Sequence, residues 1–104
     1  MAQERQLKIK TGVCRRMLKE VSCYEEEAAT NEAKVQKMKD EGMDSHDIAK
    51  QEEVLQESLM MIPDSTNRLE KALEDLRAFV EENRSDSGLT KSAHYAEAMS
   101  ILSK

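Results

Sequence analysis

From Leu7 to Met38 the apolar positions advance by alternating steps of four and three. In heptad notation the a positions read Leu7, Cys14, Val21, Ala28 and Val35, and the d positions read Met17, Tyr24, Asn31 and Met38, with Lys10 off-type. A seam sustained for more than four repeats predicts one long helix, over about residues 4–40, packed along a partner helix. Thr11-Gly12 falls inside it, and a mid-helix glycine costs about 1 kcal/mol relative to alanine, so a bend or frayed turn is expected there. Gly42 suits the left-handed turn that ends a helix, and Asp44 and Ser45 can cap the next one. So short a loop implies an antiparallel hairpin.

The second helix, about 46–82, repeats the pattern. Its a positions are Glu52, Leu59, Thr66, Leu73 and Val80, and its d positions are Ile48, Leu55, Ile62, Leu69 and Leu76. Pro63 interrupts the hydrogen bonding, but the seam keeps its phase past it, which predicts one kinked helix rather than two. The polar run Asn83–Gly88 is a second loop. Thr90 can then cap a short helix over 90–103, with Tyr95, Ala96, Met99 and Leu102 as its apolar face. That helix must fold back where extra apolar residues widen the seam: Val13 and Leu18 on the first helix, Ala72 and Phe79 on the second. Residues 28–60 are left as a two-helix stalk with a weaker seam, since Ala28, Asn31 and Glu52 take core positions. The expected fold is all-α: an elongated antiparallel three-helix bundle of two long helices and one short C-terminal helix, with 1–104 forming a single domain.

Composition fits this reading. Three aromatics and no tryptophan leave a thin core of Leu, Ile, Val, Met and Ala, better suited to helical seams than to a sheet sandwich. The formal net charge of −5 argues against nucleic acid as a partner. Its distribution is uneven. Residues 1–20 carry six bases against two acids, and residues 64–86 carry seven acids against four bases. Either these stretches balance one another across the hairpin, or Arg15, Arg16 and Lys19 form a surface for an acidic partner.

Cys14 and Cys23 are nine positions apart, about 13 Å along a helix at ~1.5 Å per residue, too far to bridge within the chain. Reduced thiols and the lack of any long apolar run point to the cytosol and away from membranes. No phosphate loop, metal-ligand spacing or nucleophile motif is visible, so no catalytic residue, metal or cofactor is expected, and His46 and His94 read as surface residues. Cys14 falls in the seam and Cys23 outside it. Met60 and Met61, at the outward b and c positions before Pro63, are either turned inward by a kink or form an adaptable apolar patch with Val54. Glu57, Asp64 and Arg68 would then supply its polar rim.

Three stretches carry a family resemblance: Ile9-Lys10-Thr11-Gly12-Val13, Tyr24-Glu25, and Leu55-Gln56-Glu57-Ser58 continuing to Met60-Met61-Ile62-Pro63-Asp64 and Arg68-Leu69-Glu70. Over roughly residues 7–82 the chain resembles the tubulin-binding cofactor A (tubulin-specific chaperone A) family, departing from it at Leu59, where a basic residue is expected. The resemblance implies a monomeric or homodimeric cytoplasmic, cytoskeleton-associated helical bundle. Such a protein would capture β-tubulin from the cytosolic chaperonin and pass it toward heterodimer assembly, without nucleotide. The residues alone leave a second reading open, a structural coiled-coil adaptor that completes its seams by homodimerisation.

Overall fold

Residues 2–103, which the computed structural model describes, contain four helices and no strand: α1 (Ala2–Asp40), α2 (Ser45–Glu82), α3 (Ser87–Thr90) and α4 (Ala93–Leu102). The hairpin turn follows from Gly42, whose φ of 68° only glycine adopts without strain. Gly42 N–H donates to the Lys39 carbonyl at 3.1 Å and Met43 N–H to the Met38 carbonyl at 3.0 Å, the paired bonds of a Schellman cap. Opposite it, the Asp44 carbonyl accepts from Ile48 N–H and starts α2.

Two expected interruptions do not break their helices. α1 runs unbroken through Gly12. α2 runs unbroken through Pro63, as one helix. Having no N–H, Pro63 leaves the Leu59 carbonyl without its usual helical donor. The expected third helix, in contrast, is divided. Asp86 caps α3 through its side chain, which accepts from Leu89 N–H, and Ser92 caps α4 by accepting from Tyr95 N–H. Thr90, expected to be the cap, ends α3 instead, its hydroxyl donating to the Ser87 carbonyl. Ser92 adopts an extended backbone, with ψ at 155°, and that conformation separates the two helices.

Contacts group the chain into two compact units, residues up to Lys19 with those from Asn67 onward, and Glu20–Thr66. Each long helix contributes to both. The first unit has a core of Leu7, Cys14, Leu76, Phe79, Val80, Leu89, Ala98 and Ile101, so α1, α2, α3 and α4 all enter it. Leu18, Ala72, Leu73, Tyr95 and Leu102 pack against it. Val13 is half-buried and outside that cluster. The apolar face expected of the last helix needs correction. Ala98 and Ile101 are its buried residues, whereas Ala96 and Met99 are exposed. Ser92 starts the helix later than Thr90 would have, and the face running 95, 98, 101, 102 satisfies the i, i+3, i+4 rule.

Thr11 is buried in this unit, and its hydroxyl has no hydrogen-bond partner. The off-type Lys10 extends along the packed surface to the Asp75 carboxylate at 2.7 Å, with its ammonium 5.6 Å from the centre of the Phe79 ring. Its aliphatic stem thus lies against apolar surface while its charge stays paired.

The second unit is a two-helix pairing in which Asn31 faces Ser58 and Lys39 faces Glu52, so the two helices run antiparallel there. Half of its α2 seam is displaced by one residue: Ile48, Leu55 and Ile62 hold the expected d positions, and the inward partners of that row fall one residue before the expected a positions. Glu52 and Leu59, placed at a positions by the pattern, are exposed, and the inward residues are Gln51, Ser58 and Ser65. With Ile48, Leu55 and Ile62 these make a stripe stepping by three and four. Both serines lie almost fully buried without orphaned hydroxyls. Ser58 donates to the Val54 carbonyl and accepts from the Asn31 amide at 2.9 Å, and Ser65 donates to the Ile62 carbonyl. Gln51 in turn donates to the Asn31 carbonyl oxygen at 3.4 Å.

Candidate functional site

The displaced seam decides what α2 shows to solvent. Successive helical residues turn by about 100°, so with Ser58 inward, Leu59 moves out along one flank and Met61 along the other. Val54, Leu59, Met60 and Met61 are 45%, 42%, 71% and 37% exposed. Both methionines therefore face outward, and neither is rotated into the seam near Pro63.

The candidates of the second unit fall on two faces. Val54 and Met61, seven positions apart, line one shallow groove with Glu57 and Ser58, and α1 closes its other side with Tyr24 and Glu27. Met60 lies on a separate depression with Ala49, Glu52, Glu53, Gln56 and Glu57. Glu57 borders both, and Asp64 is exposed further along α2. The Val54–Met61 groove is thus a mixed strip, two apolar side chains beside Ser58 with a carboxylate on each wall, and the Met60 face is one thioether among acids.

In the first unit, Arg15 and Arg16 line a depression on α1 with Arg5, Lys8, Ile9 and Gly12, while Lys19 and Arg68 are exposed elsewhere. The expected charge balance is only partly seen. Lys10 pairs with Asp75 of α2, but Arg15 pairs with Glu97 of α4 at 2.7 Å. Arg15 remains 64% exposed despite that pair, so the charge of this face still meets solvent.

Sequence reasoning did not single out Tyr24, Glu27 or Leu59 as surface candidates, because the heptad placed Tyr24 and Leu59 in the core. Tyr24 is half-buried and reaches the rim of the groove. The recurring Gln51, Ser58, Ser65 spacing was the signal that one side of the seam ran one residue earlier, but a hydrophobicity pattern gives no weight to serine.

Cys14 is buried and Cys23 exposed, as the seam implied. Burial, and secondarily the Asp75 carboxylate, pushes the Cys14 thiol above the ordinary thiol range. Among the described residues no helix is long and apolar enough to cross a membrane. The depressions on the helices are shallow and open, and each mixes apolar with charged lining residues.

These surfaces belong to a chain whose described residues are almost all helical, with no strand among them. Residues 2–102 match the family described as Tubulin binding cofactor A, and the chain belongs to that family. It is 49% identical to the tubulin-specific chaperone A of Rattus norvegicus over 98 residues, covering 94% of this chain and 88% of that one. Against the tubulin-folding cofactor A of Arabidopsis thaliana it is 51% identical over 82 residues, 79% of this chain and 73% of that one. The crystal structure of tubulin folding cofactor A from Arabidopsis thaliana superposes with a TM-score of 0.91 at 42% identity, covering 99% of this chain and 94% of that one. The human tubulin chaperone cofactor A structure gives 0.80 at 46% identity, over 97% and 95% of the two chains. The family is one of chaperones, a non-enzymatic class.

Proposed function

We propose that this chain is a cytoplasmic, cytoskeleton-associated tubulin-folding chaperone. It captures β-tubulin released from the cytosolic chaperonin and passes it on toward heterodimer assembly. Capture is non-covalent, on helix surfaces, without cofactor or catalytic step, and the chain acts as a monomer or homodimer. The family match over residues 2–102 carries this reading. The surface assigned to capture is Val54, Met60 and Met61, with Glu57, Asp64 and Arg68 as polar residues that orient the client, and Arg15, Arg16 and Lys19 as a basic contribution from α1.

The physical case rests on adaptability. A partly folded client exposes irregular apolar surface, and unbranched methionines conform to it where branched side chains cannot. Each methionine fully buried on capture contributes on the order of 1.5–3 kcal/mol by area, before ordering costs. The test is the Met60→Ser, Met61→Ser double variant. It is expected to keep its helical signal and melting transition and to lose the 1:1 species formed with unassembled β-tubulin in size-exclusion chromatography with light scattering. A variant that folds and still captures β-tubulin would move the capture surface elsewhere. Chain that forms one fixed oligomer and no β-tubulin complex would instead favour a structural coiled-coil subunit.

A further inference from the structure

A solvated helix face has no need of glycine. Gly12 lies within α1, its φ is not positive, and a Cβ built on it would meet nothing within 4 Å. Alanine there would stabilise the helix and disturb no neighbour. Internal packing therefore gives no reason for the missing side chain. Around Gly12 stand Arg5, Lys8, Arg15 and Arg16, and beside it Ile9, an isoleucine 56% exposed on an otherwise charged face. Residues 5, 8, 12, 15 and 16 recur at three- and four-residue spacing on the side of α1 opposite the buried Leu7, Thr11 and Cys14. The result is an apolar notch one residue wide, floored by backbone, with a ring of cations. Among the described residues Arg15 pairs with Glu97.

We propose that this notch is a docking site for an acidic peptide segment that carries one large apolar side chain. The side chain seats on the Gly12 backbone against Ile9, and carboxylates on either side engage Lys8, Arg5 and Arg16. Charge complementarity selects the peptide. A nucleic-acid surface would interleave stacking aromatics with the cations, and the face has none. A membrane surface helix would present a broad apolar stripe, whereas Ile9 stands alone. The proposal shares Arg15 and Arg16 with the basic contribution assigned to α1 above and adds the Gly12–Ile9 notch; its probe contains no tubulin, so its outcome is read separately from capture.

Two labelled synthetic peptides, a run of glutamates with a central phenylalanine and its twin with serine there, are titrated with the full chain by fluorescence anisotropy. The phenylalanine peptide is expected to bind roughly tenfold more tightly, the size of one well-seated apolar contact. Gly12→Gln, which fills the notch with a good helix former, is expected to raise the melting temperature and to abolish the difference between the peptides. Lys8→Glu with Arg16→Glu is expected to remove binding of both while circular dichroism stays unchanged. Equal binding of the two peptides overturns the proposal. So does a Gly12→Gln chain that melts lower, since the glycine would then serve the fold. Tighter binding to phosphatidylserine vesicles or to an oligonucleotide than to the phenylalanine peptide would equally refute it. Loss of β-tubulin capture is a separate measurement, so failure of either idea leaves the other standing.

Discussion

Thr11 and Cys14 lie within one turn of each other in the same core, and each makes a distinct demand on its surroundings. The Thr11 hydroxyl is buried without a partner, and an unsatisfied buried polar group costs about 1–3 kcal/mol. Thr11→Val keeps the shape and removes the hydroxyl, so it is expected to stabilise the chain by about 1 kcal/mol in urea melts. Cys14 has its thiol pushed up by burial and then by Asp75. The unfolded chain therefore loses that proton at lower pH than the native chain does. The stability contribution is intact below the ordinary thiol range and is lost as pH rises through it toward the folded value. Melts at pH 7 and at about pH 10 should show a larger loss for the parent chain than for Cys14→Ala. In the native state a thiol reagent should modify Cys23 promptly and Cys14 only as the chain opens.

At the scale of the helix, α2 reverses an ordinary expectation about leucine and serine. Leu59→Ser is expected to change stability by less than about 0.5 kcal/mol, because Leu59 is exposed. Ser58→Leu is expected to cost about 1–3 kcal/mol, because its site is buried and hydrogen-bonded to Asn31. Leu76→Ala, in the apolar core, should cost about 2–5 kcal/mol, and Val35→Ala in the two-helix unit distinctly less. The same two units show how far the sequence could be read. The Gly42 stop was legible because backbone chemistry alone decides it, and helix type and continuity through Pro63 because the spacing and phase of the apolar positions mark them. The seam between Leu7 and Val35 was legible because large apolar residues mark it. On α2 the Ile48, Leu55, Ile62 side of the seam was legible for the same reason, but the Gln51, Ser58, Ser65 side was not, because small polar residues face inward there and the serines satisfy their hydroxyls against their own helix. The outward placement of Met60 and Met61 survived that error, since a one-residue shift still leaves both at the surface. Tyr24, on the groove rim, was hidden by a heptad position that is only half-buried.

For the whole chain, covalent continuity matters as much as contact. Both long helices contribute to both units, so we propose that residues 1–104 unfold as one cooperative domain. Tyr24 reports on one unit and Tyr95 on the other. Tyrosine fluorescence melts of Tyr24→Phe and Tyr95→Phe chains, each retaining one tyrosine, should give coincident midpoints once each variant's own stability change is measured by circular dichroism. The uneven charge gives a further expectation. If the α1 cations contribute to capture of an acidic client, association should slow as salt rises from low to physiological levels, while dissociation changes little. A rate flat across that range would confine Arg15, Arg16 and Lys19 to balancing charge within the chain.

The amide of Asn31 is held between Ser58 and Gln51, and this arrangement constrains more than the folded state. Replacing Ser58 by an apolar residue leaves the Asn31 amide nitrogen without its acceptor, and replacing Asn31 leaves the Ser58 hydroxyl only its bond to the Val54 carbonyl, so each single step gives up a part-buried hydrogen bond. A change of both at once, to two apolar residues of fitting size, meets no such barrier. Substitution at these positions should therefore occur in coordinated pairs over evolutionary time, with the three residues behaving as one inherited character.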